Sequence, residues 1–370
     1  MGGLGRRVKI GRTRFWDGAD FCTRHSFRRG RREASIFFRT RGCRHDLAGG
    51  CTMCDYSVGE QPSAAVMVEI VGRALSELEE SCACVLVSPS GSFLDEWEVP
   101  SSARRGILEL LSRSPHEGVA FETRAETLSE DVAVSIKAAL GAKDTRVYMG
   151  LESSDPWVAR FSVYKELDHA RFLSAVDVLR RHGISPVANV IVGAPFLDPR
   201  EVIQDAVETV RWALSNGCDE CCLFPVHVKK WTQIHWLHQK GLYSPPSLWA
   251  LVHVLNGLGR ELASRIELSW LTSYDAFNVT ESPGGCNQCK EALLANLGKF
   301  ASTSEWGFIE QLEHGGCACR DAMLATASSS REGRAYQAYR AIADYLFPTS
   351  WDQAKDAILR EELDFMEEIV

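Results

Sequence analysis

No apolar stretch in this 370-residue sequence approaches the roughly 20 residues that a membrane-spanning helix requires. The Arg-rich start also lacks the apolar core of a secretory signal, so the expected location is cytoplasmic. Low-complexity sequence is confined to Ser328-Ser329-Ser330 and no internal repeat is present, which excludes solenoids and disordered arrays. Positive charge is scarce beyond the beginning: residues 1–45 hold 13 Lys and Arg against 3 Asp and Glu, leaving 28 against 46 for the remainder. An acidic body excludes a broad nucleic-acid footprint, because non-specific affinity comes from Lys and Arg neutralising phosphates. The basic arm, residues 1–34 with Arg28, Arg29, Arg31 and Arg32, either grips phosphates locally or is a solvated leader.

What is present is an ordinary globular composition, 45% hydrophobic and 24% charged, long enough for one large α/β core and a smaller C-terminal appendage. Thirteen cysteines without a secretory signal point to thiolate ligands and away from a disulfide framework. Cys22, Cys82, Cys84, Cys218, Cys221 and Cys222 lie alone or in apolar runs and read as small buried hydrophobes.

Short apolar runs at 35–39, 84–88, 119–122, 147–151, 187–192 and 220–224 alternate with amphipathic stretches at 64–79, 101–113, 129–140, 168–182 and 199–216. This alternation predicts six parallel strands, as a (β/α)6 partial barrel or an open doubly wound sheet. A helix over 246–263 and a possible strand at 266–271 extend the core. Either architecture gathers functional loops at the C-terminal ends of its strands.

Directly after the first run comes Arg41-Gly-Cys43-Arg-His-Asp-Leu-Ala-Gly-Gly-Cys51-Thr-Met-Cys54-Asp-Tyr56, with its cysteines spaced C-x7-C-x2-C. Three thiolates can fix three irons of a cubane and leave the fourth open; the other assignment is a zinc site completed by His45. Gly42, Gly49 and Gly50 permit the tight turns of such a loop.

With the segments Ser90-Gly-Ser-Phe-Leu-Asp95, Phe121-Glu-Thr-Arg124, Gly150-Leu-Glu152, Asn189-Val-Ile-Val-Gly193, Phe224-Pro-Val-His-Val and Gly241–Trp249, this loop resembles the radical S-adenosylmethionine (SAM) superfamily. The likeness is to its Elp3-like branch, most of all to archaeosine synthase radical SAM subunits, and spans about residues 35 to 320. It implies an α/β fold: a (β/α)6 partial TIM barrel over 35–272 with a mostly helical, Cys-containing C-terminal extension over 273–370. It implies catalytic Cys43, Cys51 and Cys54 holding a [4Fe–4S] cluster, SAM bound by Met53, Ser90, Gly91, Ser92, Glu122, Arg124, Glu152 and Val192, and an electron donor of flavodoxin or ferredoxin type. Read without the resemblance, Glu122, Arg124 and Glu152 are also consistent with ion pairs at the barrel rim. The sequence departs from the branch at Ala125, where proline is usual, and at Tyr164-Lys-Glu-Leu, where Asn-Lys-Gly is usual.

A second group, Cys286-x2-Cys289 and Cys317-x-Cys319, supplies four thiolates for structural zinc or for an auxiliary [4Fe–4S] cluster, and the cluster is the expectation. The expected activity is radical SAM hydrogen abstraction from a small nucleoside or nucleotide. Sulfur insertion aided by the auxiliary cluster is part of that expectation, as in relatives that build the thiosugars of nucleoside antibiotics. The alternative is modification of a tRNA base with zinc in the tail. His227, Lys229, Lys230, Gln233, Tyr56 and Arg124 are the candidate polar groups near the mouth.

Overall fold

The computed structural model describes residues 1–10, 19–56, 59–89, 91–165, 168–271, 278–325 and 329–347. Its main sheet has eight strands in the order β1 (Phe21–Arg28), β2 (Arg31–Phe38), β3 (Cys84–Ser88), β4 (Gly118–Thr123), β5 (Asp144–Glu152), β6 (Ser185–Val192), β7 (Glu220–Pro225) and β9 (Ile266–Leu268). A small second sheet pairs β8 (Val228–Lys229) with β10 (Val279–Glu281). From β2 to β9 every pairing in the main sheet is parallel, with helices in the crossovers, and the sheet curls into a half-barrel. The six expected parallel strands are β2 to β7.

Side chains alternate across each strand, and that alternation fills both faces of the curled sheet. Val85 and Val87, Val119 and Phe121, Val147 and Met149, and Val190 and Val192 point outward into the main core. The intervening positions face the lumen, where Cys84, Ala120, Tyr148, Val187 and Cys222 form a separate inner cluster. Removing such apolar side chains from water contributes roughly 1.5–3 kcal/mol each. The crossover helices begin where the sequence places capping residues: Ser63, Ser129, Asp168 and Asp198 each accept backbone N–H bonds, and Asp198 forms a reciprocal capping box with Glu201.

Among its described residues the basic segment 1–34 is folded against the body, with a helix at Gly2–Val8 ahead of the first strand. Residues 21–28 form β1, which pairs antiparallel with β2 from Phe21↔Phe38 to Arg28↔Arg31. Its arginines are committed to carboxylates of the body: Arg28 pairs with Glu220 and with Glu267 at 3.3 Å, Arg29 with Glu220 at 2.8 Å, Arg31 with Glu117, and Arg32 with Glu79. Arg28 and Arg29 sit at the N-terminal end of the barrel beside Glu33, Asp144 and Glu220, while the Arg31 and Arg32 pairs lie at the surface.

The C-terminal part is helical, with helices Lys290–Thr303, Gly307–Gly315, Ala318–Ala325 and Arg331–Leu346. No helix among the described residues is long and apolar enough to cross a membrane.

Candidate active site

Strand alternation sets up the site. Ser88, Glu122, Asn189 and Phe224 occupy lumen positions near the C-terminal ends of β3, β4, β6 and β7, while the cysteine loop leaves β2 at the same end. In register, Ser88 lies beside Glu122, and its hydroxyl donates to Glu122 Oε2 at 2.5 Å. Burial pushes the Glu122 carboxyl above its usual range, and that hydrogen bond only partly offsets it. Glu152 ends β5 with φ +67°, and its Oε1 accepts from Lys165 Nζ at 3.1 Å; Lys165 also reaches the Gly150 carbonyl at 2.7 Å.

The cysteine loop is held by an irregular helix. Val158–Val163 is wound as a π-helix, and the carbonyls at its end receive the loop: Cys51 N–H donates to Tyr164 O at 3.1 Å, Thr52 N–H to Val163 O at 2.9 Å and Thr52 Oγ1 to Ser162 O at 3.0 Å. The segment Tyr164-Lys165, where the sequence departs from its relatives, is therefore a support of the loop. Gly50 admits the His45 ring, since a Cβ there would stand 2.2 Å from His45 Nε2. On the outer side the helix Gly2–Val8 covers the loop, with Arg6 donating to Ala48 O at 3.2 Å and Lys9 paired with Asp46.

Cys43, Cys51 and Cys54 line one cavity together with Met53, Tyr56, Gly91, Ser92, Glu122, Arg124, Glu152, His227 and Lys229. Asn189 and Ile191, from a segment that carried the resemblance, line it too, as do Lys165, Phe37 and Trp270, which were not named as site residues. Asn189 carried a signal, being an amide inside an apolar strand. Ser90 lies outside the described residues. Val192 packs into the outer core and does not line the cavity, whereas Asn189 and Ile191 do. Gln233 is buried and donates to Gly49 O at 2.8 Å, supporting the loop from beneath; Lys230 is exposed and turned away.

The three sulfur atoms do not all fall within 4.8 Å of one another, a spread wider than the ~3.8 Å that tetrahedral zinc–thiolate bonds impose. His45, which would complete a zinc site, instead sets Nε2 3.3 Å from Tyr164 O. Arg124 lies with Nη1 3.7 Å from Cys43 Sγ and pairs with Asp95, which also takes Arg44 at 3.1 Å. Burial, reinforced by Glu98, pushes the Cys43 thiol up to about 11 despite Arg124. Two buried oxygens near the strand ends have no partner among the described residues: Asn189 Oδ1, on the cavity wall, and Glu98 Oε1, behind the Gly91-Ser92 turn.

Residues 37–213 match the family described as the Radical SAM superfamily. The chain carries a radical SAM domain. Such a domain implies a [4Fe–4S] cluster and SAM, and the donor set of the cavity is compatible with both: three thiols whose sulfurs are not all within 4.8 Å of one another, beside the Asn189 and Glu98 oxygens that have no partner among the described residues. The chain is 27% identical over 292 residues to archaeosine synthase subunit beta of Methanosarcina acetivorans, covering 78% of this chain and 82% of that one. It is also 27% identical over 299 residues to the protein of the same name from Thermococcus kodakarensis, covering 77% and 89%. Among solved structures it is similar to an N-terminally deleted Elp3 of Methanocaldococcus infernus, with a TM-score of 0.47, 15% identity and coverage of 70% of this chain and 62% of that chain.

The second cysteine group is geometrically distinct from the first. Cys286 Sγ lies 3.7 Å from Cys289 and 3.4 Å from Cys317, and Cys319 lies 3.4 Å from both Cys289 and Cys317. Among the described residues it is the one group of three or more His, Cys, Asp or Glu residues whose ligand atoms all lie within 4.8 Å of one another.

Proposed function

We propose that the chain is a radical SAM enzyme in which Cys43, Cys51 and Cys54 hold the [4Fe–4S] cluster, with one iron left for SAM, and which abstracts hydrogen from a nucleoside- or nucleotide-type small molecule. Met53, Gly91, Ser92, Glu122, Arg124 and Glu152, joined by Asn189, would bind SAM in a barrel spanning about 35–272, ahead of a metal-bearing tail from 273. The observation that carries this reading is the meeting, in one cavity at the strand C-terminal ends, of three thiols with the Asn189 amide oxygen that has no partner among the described residues. Together, cluster and SAM supply one-electron cleavage of a sulfur–carbon bond and thereby a 5′-deoxyadenosyl radical.

The chain's own residues prepare that chemistry. Arg124 offsets negative charge at the Cys43 thiolate, and Asp95 fixes its guanidinium. Gly91 leaves room for Glu98, whose Oε2 takes the Ser92 N–H at 2.8 Å and so holds the turn open toward the cavity. Phe37, Met53, Ile191, Phe224 and Trp270 exclude water from the space where a radical would travel. His227 is wall and not base: burial lowers its pKa, Nε2 sits 2.6 Å from Trp270 O, and Nδ1 sits 3.1 Å from Ser282 Oγ. Tyr56 and Trp270, both near the Lys229 ammonium, offer flat faces to a heterocyclic base.

For the tail, sulfur separations of 3.4–3.7 Å suit one tetrahedral zinc better than a cubane, which favours hydrogen abstraction without sulfur donated from a second cluster. The pairing of Arg28, Arg29, Arg31 and Arg32 with carboxylates favours a free small molecule over tRNA. The names of the relatives favour the second reading, a tRNA base modified with a partner subunit. An electron donor of flavodoxin or ferredoxin type fits either.

Anaerobic reconstitution followed by reduction with SAM tests the proposal. The expected result is about four irons and about one zinc per chain, with 5′-deoxyadenosine formed. Absence of 5′-deoxyadenosine would sink the enzyme reading. Tight, salt-dependent tRNA binding by the full chain would move the substrate assignment to the second reading.

A further inference from the structure

A continuous line of contacts runs from the tail's cysteine group to the residue that follows the last cysteine of the first loop. Its near end is Cys286. Upstream of it, Gly284 O accepts from Leu248 N–H at 2.7 Å and Ser247 Oγ at 3.2 Å, so the chain is tied to the start of the helix Leu248–Ala263. Ser282 Oγ lies 3.1 Å from His227 Nδ1, and Glu281 meets His238 at 2.8 Å. Strand β10 then pairs antiparallel with β8, and Lys230 N–H donates to Asn278 O at 2.8 Å.

The far end is a buried carboxylate with both oxygens taken. Asn278 Nδ2 donates to Asp55 Oδ2, and Lys229 Nζ donates to Asp55 Oδ1 at 2.9 Å. Asn278 and Asp55 are each 2% exposed. Asp55 directly follows Cys54, and Lys229 is on the cavity wall beside Tyr56 and Trp270. Groups that fix a ligand's neighbours set the ligand's orientation and the charge around it.

We propose that Asn278 is a positioning residue for the iron–sulfur site: placed directly before strand β10, which is moored by the tail's four-cysteine metal site, it clamps Asp55 and thereby sets Cys54 and the Lys229 ammonium. The tail metal then acts at a distance through a mechanical tie, with no electron passing through it. This rests on the assignment of Cys54 as a cluster ligand. Losing the Asn278 donor leaves a buried Asp55 oxygen without that partner, and the carboxylate re-aims to recover a hydrogen bond.

The test uses full-length protein reconstituted anaerobically, with two readouts: iron release to the ferrous chelator bathophenanthroline disulfonate, and the EPR signal of the dithionite-reduced cluster with and without SAM. Asn278→Ala is expected to release iron about tenfold faster and to shift the EPR signal, in line with the loss of an outer-shell partner. Asn278→Ser, which keeps a hydroxyl donor, is expected to fall between Ala and wild type, an order that misfolding would not produce. Paired Cys286→Ser and Cys289→Ser substitutions cut the mooring while leaving Asn278 in place, and are expected to reproduce the Ala result. The inference is overturned if wild type carries its cluster and the Asn278 variants release iron alike, or if the tail variant behaves as wild type. A wild-type chain that takes up no cluster overturns the Cys54 assignment and the inference together, and does so before any variant is compared.

Discussion

Gly5 and Gly49 meet backbone against backbone: a Cβ on Gly5 would stand 2.3 Å from the Gly49 carbonyl oxygen, and one on Gly49 would stand 2.4 Å from the Gly2 carbonyl oxygen. The helix Gly2–Val8 thus rests on the cysteine loop with no side chain between them. Gly5→Val should push the helix away at a cost of about 1–3 kcal/mol. The expected outcome is unchanged helix content by circular dichroism with a lower melting temperature and fewer irons retained per chain; full iron retention would show that the helix does not support the loop.

Asn189→Val should separate stability from binding. The buried Oδ1 has no partner among the described residues, so replacing the amide with an apolar group of similar size should stabilise the protein free of SAM by about 1 kcal/mol. The same change should weaken SAM binding about tenfold, through a lost hydrogen bond. Urea denaturation and isothermal titration measure the two effects, and loss of both stability and binding would count against a cavity-facing role.

Lys165 and Glu152 form a buried pair, with side chains 7% and 15% exposed. Although burial opposes the charge, Glu152 and Cys51 hold the Lys165 ammonium above its usual range. Lys165→Met should cost about 3–5 kcal/mol by stranding the carboxylate, and adding Glu152→Gln should restore part of that. A double-mutant cycle by chemical denaturation reads the coupling; additive losses would mean that the pair is not coupled.

Glu98 makes stability depend on pH. It is fully buried, and burial raises its carboxyl to about 7, against partial relief from the Ser92 N–H and Arg124. The folded chain therefore holds a proton that the unfolded chain releases near its ordinary value. Stability from this group is greatest at acid pH, falls as pH rises from about 4.5 to about 7, and is level above that. Glu98→Gln should remove the decline and stabilise the protein above pH 7 by up to about 3 kcal/mol. Melting temperatures of both proteins between pH 5 and 8 check this, and parallel curves would refute it.

Much of this was legible in the sequence because strand alternation and helix capping are local signals. The runs at 84–88 and 187–192 became β3 and most of β6, and the helix at 101–113 agrees in both bounds. The cysteine triplet stood out by type and spacing, whereas Glu122, Arg124 and Glu152 were pointed to only by the family resemblance; all six line the one cavity. The hairpin β1 was not, because Arg28 and Arg29 find their carboxylates at Glu220 and Glu267, some 190 to 240 positions away. An arginine run without visible partners resembles a solvated arm. Asp55, Lys165 and Asn278 were missed for the same reason: each matters through a contact made only after folding. The difference between the two cysteine groups is also tertiary, since spacing along the chain does not report how far apart sulfurs stand in space.

The main sheet ends at β1 on one side and β9 on the other, and these edges do not pair with each other among the described residues. Arg28 of β1 instead reaches Glu267 of β9 at 3.3 Å, and Tyr148 from the opposite wall donates to the same carboxylate at 2.7 Å. A ring sealed by ladder hydrogen bonds has its bore set by strand number and stagger. Here the seam between β1 and β9 is spanned by side chains and not by a ladder, so strand number and stagger alone do not fix the bore.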